Sequence, residues 1–383
     1  MFTFACMKRS IILLLLVLGY GIAKAGELLL EGTIGTYPIV INLNIDNSST
    51  WGSYFYKSTC SDIVLEGQNS GDNVTLKVSR TNNKTKETEV AETFRLKQGA
   101  NKSWTGTWTD KKGKQLKVSL SPVNINTIKN PFGYLPEVAD LKMKMPYEYM
   151  RTACIKIVYD GATVKNGKYT LKYYHLKNTK VKLFEVVNGL EKNVADKVKS
   201  VLLSKFMSMA SSYYSCATAN GIGSGYDMGI GEIFMTDNIL SLQLNFDVYC
   251  AGNAHPEAGL DILNIDMRTG RQLTLQDVLF LVPGPVPDRE SDAWLNYNSE
   301  KYAPKLTALL KKLHPEEMVA GGDCDYAEVS AWQYPDWYVS AKGLHILPGF
   351  AHAMAPCRET DWAFIPFSVL KLYRNPKVNI VLP

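Results

Sequence analysis

The chain has 383 residues, 46% of them hydrophobic and 21% charged, with a formal net charge of +5. That length supports two domains with ordinary cores. The near-neutral balance argues against a nucleic-acid partner, whose phosphates call for a strongly basic face, while leaving room for a local charged patch.

Residues 1–25 read as an export signal. Lys8-Arg9 supplies a short basic start, an apolar run follows over 11–18, and Ala23-Lys24-Ala25 places small residues at the cleavage positions. The run is too short to span a bilayer as a stable helix, and its flanks fit a cleaved peptide. A cut near Ala25 would remove Lys8, Arg9 and Lys24 and no acid, so the net charge of +5 would fall to +2. It would also remove Cys6 and leave six cysteines: Cys60, Cys154, Cys216, Cys250, Cys324 and Cys357. An even count in an exported chain points to disulfides, and no CxxC or CxxH spacing favours a zinc site. Spacing alone leaves the connectivity open; the preferred pairing joins Cys216 to Cys250 and Cys324 to Cys357. No later run is apolar enough to cross a membrane. The mature chain is therefore expected to be periplasmic or secreted, with no transmembrane segment.

Residues 26–127 read as an all-β domain. About eight short strands are predicted, over 28–34, 39–45, 52–56, 63–67, 74–78, 89–96, 104–108 and 115–120. Ile39, Ile41, Leu43 and Ile45 alternate with other residues, the period of a strand with one buried face. Spacers such as Asn69-Ser70-Gly71-Asp72-Asn73 and Asp110-Lys111-Lys112-Gly113-Lys114 carry turn chemistry. A meander closed into a small barrel fits this pattern, because closure removes exposed edges; a β-sandwich is the second choice. Trp104, Gly106 and Trp108 fall on one strand face, which is either packing or a sugar-stacking platform. Residues 128–150 lose the alternation and carry Pro131, Pro136 and Pro146, so they read as a linker or wrapping segment.

Residues 151–383 read as α+β. Strands are predicted over 154–159 and 168–174 around Asn166-Gly167, and over 181–187. A helix follows over 191–209, with Val194, Val198, Val201, Leu202 and Phe206 at helical spacing. Further strands are expected at 234–235, 239–249, 260–266, 337–340, 344–347 and 362–365, with helices over 303–313 and 367–372. Consecutive strands after a helix argue for an antiparallel sheet with helices on one face. The overall fold class is α+β.

Three motifs in this half carry a family resemblance. One is the strand running into Ala251-Gly252-Asn253-Ala254-His255-Pro256. The second is the hairpin Asn264-Ile265-Asp266-Met267-Arg268-Thr269-Gly270-Arg271-Gln272-Leu273 with the helix start Leu275-Gln276-Asp277. The third is Phe364-Ile365-Pro366-Phe367-Ser368-Val369-Leu370. Together they resemble the domain of unknown function in the extracellular part of lysozyme-sensing anti-sigma factors, found also beside some peptidoglycan polysaccharide deacetylases. The resemblance covers residues from about 150 to 375. It implies a cell-envelope domain that binds a protein such as lysozyme, and it implies no active site. Asn253 stands where that family usually has Gly, and the cysteine pattern is not the family's.

Candidate contact residues follow from the loops. His255 lies between Gly252 and Gly259 and serves either as a ligand or contact, or as a tie from loop to sheet. Asn253 and Glu257 flank it. Tyr326, Trp332, Tyr334, Trp337 and Tyr338 cluster later, as a recognition surface or as core. His345, His352, Cys357 and Asp361 lie close in sequence but match no standard metal spacing. Gly221-Ile222-Gly223-Ser224-Gly225 reads as a flexible loop, since it does not lead from a strand into a helix. Asp323 and Asp325 are a carboxylate pair that defaults to a solvated loop. The expectation is an exported envelope-binding protein for a lysozyme-like protein or a peptidoglycan fragment, using His255, Asn253, Glu257, Tyr326, Trp332, Trp337 and Tyr338. No cofactor, metal ligand set or catalytic residue is expected. The alternatives are an envelope hydrolase acting on glycan or peptide, and a glycan-binding module centred on Trp104 and Trp108.

Overall fold

A computed structural model describes residues 26–81, 85, 87–216, 225–250, 255–289, 291–378 and 380–382. The expected signal segment, Cys6, Asn253 and residues 221–224 of the Gly-rich loop lie outside the described residues.

The N-terminal part is a closed eight-stranded antiparallel barrel. Its strands are β1 (Gly26–Ile34), β2 (Tyr37–Ile45), β3 (Ser49–Tyr56), β4 (Asp62–Ser70), β5 (Asn73–Thr81), β6 (Thr88–Gln98), β7 (Trp104–Asp110) and β8 (Gln115–Pro122). Each pairs with the next, and β1 pairs with β8 to close the ring. Period-two alternation turns Ile39, Ile41, Leu43, Tyr54, Leu76, Phe94 and Trp104 inward, where they fill the interior. Glu92 is buried with them. It accepts from Tyr54 Oη at 2.5 Å, from Trp108 Nε1 at 2.8 Å and from Arg80 at 3.2 Å, so the carboxylate inside the barrel is fully partnered. Trp104 is thus buried in the barrel, and Trp108 is half-buried against the same core with its N–H engaged by Glu92, an arrangement that favours packing over the sugar-platform reading. Gly106 between them permits the close approach to β6, because a Cβ there would meet the Arg95 carbonyl oxygen at 1.9 Å.

Val40 and Phe55 point out of the barrel yet have no exposed surface. The segment expected as a linker covers them. It forms two helices, α1 (Pro136–Lys144) and α2 (Pro146–Thr152). Pro136 and Pro146 stand in the first turn of each, where a missing N–H costs nothing, so they start helices instead of breaking them. Tyr147 and Met150 of α2 pack on Val40 and Phe55. Arg151 beside them is completely buried. Its guanidinium pairs with Asp62 of β4 at 2.5 Å and with Glu148 at 3.0 Å, and it donates to the Cys60 carbonyl at 2.8 Å. It also lies 5.2 Å from the ring centres of both Phe55 and Tyr147. Tyr147 Oη donates to the same Asp62 at 2.7 Å.

The C-terminal part holds three antiparallel sheets where one was expected. The first is β9 (Ile157–Asn166), β10 (Tyr169–Leu176) and β11 (Lys182–Asn188). Helix α3 (Lys192–Cys216) packs on it through Val198, Leu202, Phe206 and Ala210, with Phe206 against Tyr174 at a ring distance of 4.9 Å. The second sheet is β12 (Gly225–Met235), β13 (Ile239–Tyr249), β14 (Glu257–Asp266) and the short β15 (Arg271–Gln272). Gly270 (φ +71°) turns β14 into β15 directly under α3, where a Cβ would meet Lys197 Cβ at 2.4 Å. Thr274 and Asp277 then form a capping box that starts α4 (Leu275–Val278). Helices α5 (Asp292–Asn296) and α6 (Ala303–Leu313) follow, then the third sheet, β16 (Asp336–Ser340), β17 (Gly343–Leu347) and β18 (Phe364–Pro366), and α7 (Phe367–Leu370).

Two cores result. One joins the first two sheets to α3, and the other gathers α4, α6 and the third sheet around Trp332. A buried polar link holds the second sheet to the third. Ser241 Oγ donates to Asn264 Oδ1 at 2.6 Å and accepts from the Val339 N–H at 2.9 Å, while Asn264 Nδ2 donates to the Trp337 carbonyl at 2.9 Å. Asn264→Ala removes the acceptor of the Ser241 hydroxyl proton and the side-chain donor to the Trp337 carbonyl, and is expected to cost about 2 kcal/mol in denaturant unfolding. Asn264→Asp is expected to be worse, since a carboxylate cannot donate to that carbonyl.

Candidate functional site

The site forms where two stapled loops meet. The strands β13 and β14 pair as a hairpin, from Ile239 opposite Asp266 to Val248 opposite Glu257. His255 and Glu257 stand exposed on the return side of its turn. Opposite them, His352 opens the short helical turn His352–Arg358. The two imidazoles stack face to face, with centroids 3.7 Å apart and planes 13° from parallel. One donor atom each from His255, Glu257 and His352 lies within 4.8 Å of the others.

Disulfides brace both loops. Cys216–Cys250 ties the end of α3 to the strand entering the His255 turn. Cys324–Cys357 ties the segment carrying His352 to the loop after α6. Each histidine therefore lies a few residues from a half-cystine, which restricts the backbone that presents it. His255 Nδ1 lies 3.2 Å from the Pro256 carbonyl oxygen. A proton on Nδ1 donated to that carbonyl leaves the Nε2 lone pair for a donor or a metal. Two imidazoles and a carboxylate are donors of the kind that zinc, copper and nickel take. The expectation of no metal ligand set thus meets a three-donor cluster, assembled from positions far apart in sequence.

Glu257 also belongs to a neighbouring groove of about 420 Å³. Its floor is Tyr226, Met228, Phe246 and Leu260, and its acids are Glu257, Asp261 and Asp336. Lys205 pairs with Asp261, so carboxylates outnumber cations. Burial, and then the nearby Asp261 carboxylate, hold the Asp336 carboxyl above the usual range.

Two of the late aromatics are enclosed in the core. Trp332 is fully buried, with Nε1 donating to the Tyr326 carbonyl at 2.8 Å, and Trp337 is 8% exposed. Tyr326 packs edge-on against Trp362 and Phe350 and donates to the Cys357 carbonyl at 3.1 Å. Tyr338 lies flat on His345, at 4.4 Å and 5°. The reading of Trp332 and Trp337 as contact residues is corrected: both are core, Trp337 by the same alternation that buries Val339. Of the histidines grouped by sequence proximity, only His352 reaches the site; Cys357 is oxidised and His345 is buried in the third sheet.

His345 meets Ser340 at 2.9 Å across the β16–β17 hairpin, a contact that suggests a nucleophile and its base. Both residues are buried beneath Tyr338, Ser340 Oγ also accepts from the Lys342 N–H at 3.1 Å, and His345 Nδ1 has no partner. The pair closes a hairpin turn, and among the described residues both side chains are enclosed. A second cavity, of about 560 Å³, runs along α3 and includes Glu137 and Glu148. Their carboxylates are engaged by Ser204 at 2.5 Å and by Ser211 at 2.7 Å.

No family model and no curated protein sequence matches the chain.

Burial, and then the Lys342 ammonium, hold His345 below the ordinary imidazole value. The unfolded chain therefore takes up this proton more readily than the folded one. The neutral ring's contribution is whole above about pH 6.5 and fades as the pH falls through that value. Unfolding free energy measured between roughly pH 7 and 5 is expected to drop on the acid side, and His345→Gln is expected to remove that part of the slope.

Proposed function

We propose that the chain is an exported cell-envelope protein that binds a basic, lysozyme-like protein on the acid-rimmed groove beside His255. The observation that carries this reading is the arrangement of Glu257, Asp261 and Asp336 around an apolar floor, next to loops held by two disulfides. An apolar centre with a charged rim is the anatomy of a protein-binding patch, and carboxylates on the rim select and steer a cationic partner. Two disulfides fit folding in an oxidising compartment, in line with the signal expected at 1–25. No helix among the described residues is long and apolar enough to cross a membrane. The resemblance of the C-terminal half to the lysozyme-sensing domain points to the same class of partner.

A second reading rests on the His255–Glu257–His352 donors, which suit a divalent transition metal at the edge of the same face. The hydrolase alternative asks for a deep cavity with a perturbed acid or histidine. Asp336 is perturbed but lies in a shallow groove, and His345 is perturbed but enclosed. A peptidoglycan fragment has less use for an acidic rim than a cationic protein has.

Calorimetric titration of the processed protein separates these readings. With a lysozyme panel, binding is expected that weakens as salt rises and falls at least about tenfold in Glu257→Lys with Asp336→Lys. No binding by the parent, or unchanged affinity in the double variant, would remove the protein-docking reading. Binding of a muropeptide alone would transfer the site to the glycan. With zinc, saturable binding that His352→Ala abolishes supports the metal reading, and no heat from the parent removes it.

A further inference from the structure

Among the described residues, the two cysteines left out of the disulfides, Cys60 and Cys154, meet at the joint between the barrel and α2. Cys60 closes the turn after β3, where its N–H and that of Thr59 both bond the Tyr56 carbonyl. Its backbone is left-handed (φ +61°), a conformation that a non-glycine residue holds only when its surroundings fix it. Its carbonyl accepts from Arg151. Cys154 follows α2, its N–H bonded to the Arg151 carbonyl at 2.9 Å. The two thiols are near enough to interact with one another, while Cys60 Sγ lies 3.9 Å from the Lys57 carbonyl oxygen and Cys154 Sγ lies 3.4 Å from the Met150 carbonyl oxygen. Both line one cavity of about 240 Å³, with Ser58, Ser61, Lys156 and Tyr214.

We propose that Cys60 and Cys154 are a working dithiol, which closes into a third disulfide and covalently fastens the barrel to the helical joint. The inference is independent of the ligand bound at the His255 face. The order of attack follows from access and charge. Cys154 is partly exposed whereas Cys60 is buried, so a reagent in the cavity reaches Cys154 first, and contact with Cys60 and then the Lys57, Lys156 and Arg151 charges hold its thiol down. Cys154 is therefore the attacking thiolate. It displaces one sulfur of a small disulfide such as glutathione disulfide, forming a mixed disulfide and releasing a thiolate. Cys60 then loses its proton to that thiolate or to solvent and attacks the Cys154 sulfur, which expels the second glutathione. The net change is two thiols oxidised to one disulfide and one glutathione disulfide reduced to two thiols. The cavity beside the pair gives the reagent its approach.

The test is alkylation and peptide mapping of the purified protein without added reductant. Before oxidation, two cysteines are expected to alkylate on unfolding, mapping to Cys60 and Cys154. After glutathione disulfide, none is expected, and a Cys60–Cys154 cross-linked peptide takes their place. A protein that already carries that peptide as purified supports the proposal equally. Cys60→Ser is expected to retain one glutathione adduct, on Cys154, because the resolving thiol is gone. Two cysteines that stay alkylatable after the oxidant, or a Cys60 or Cys154 found linked to another cysteine, would overturn it. An adduct-free Cys60→Ser protein that folds with parental circular dichroism would overturn the order of attack and with it the dithiol.

Discussion

A single guanidinium with no exposed surface decides how the two halves of this chain sit together. Arg151 cannot give up its proton, so its burial is tolerable only with full compensation. Asp62 and Glu148 supply two carboxylates, the Cys60 carbonyl supplies a neutral acceptor, and Phe55 and Tyr147 supply ring faces. Three of these five groups belong to the barrel and two to α2. The arrangement exists only when the barrel and the helix are docked at one angle, because displacing either strands charge in a dry place. Val40, Phe55, Tyr147 and Met150 add apolar contact around it, which is non-directional and would by itself allow several poses.

From that joint outward, position is handed on by packing. Helix α2 abuts α1 and α3, and α3 carries the first sheet on one side and the Gly270 turn of the second sheet on the other. The Ser241–Asn264 link then fixes the third sheet against the second. Only after these steps do the β13–β14 turn and the His352 turn come face to face. The disulfides act last and locally, one clamping the His255 loop to the end of α3 and the other clamping the His352 segment to the loop after α6. A face assembled this way is preorganised, so little ordering would remain to be done in the binding proposed for it.

Much of this was legible in the chain. The barrel was, because eight runs with period two and turn residues between them have few other solutions, and each predicted run lies inside an observed strand. The helix α6 was, from Leu306, Leu309 and Leu310 on one face. The pairing of Cys216 with Cys250 and of Cys324 with Cys357 was anticipated, though spacing alone did not compel it. What escaped did so for identifiable reasons. Pro136 and Pro146 read as breakers until their place in a first turn is known. Ile39-Val40-Ile41 reads as a strand, but only the α2 cover explains why Val40, on the opposite face from its neighbours, is also apolar. Trp332 and Trp337 look the same in sequence whether they fill a core or meet a partner. The meeting of His255 with His352 depends on two turns brought together by three sheets, and no local pattern encodes it.

The claim that everything else rests on is that buried charge at Arg151 makes the barrel and the C-terminal half one cooperative body. Scanning calorimetry of the parent and of Arg151→Ala tests it most directly. Removing the guanidinium leaves Asp62 and Glu148 uncompensated, a loss of about 3–5 kcal/mol at the joint itself. The account predicts that the parent unfolds in one transition, and that Arg151→Ala splits into two, with barrel and C-terminal half melting apart. A variant that still unfolds in one transition at the parental temperature would contradict it.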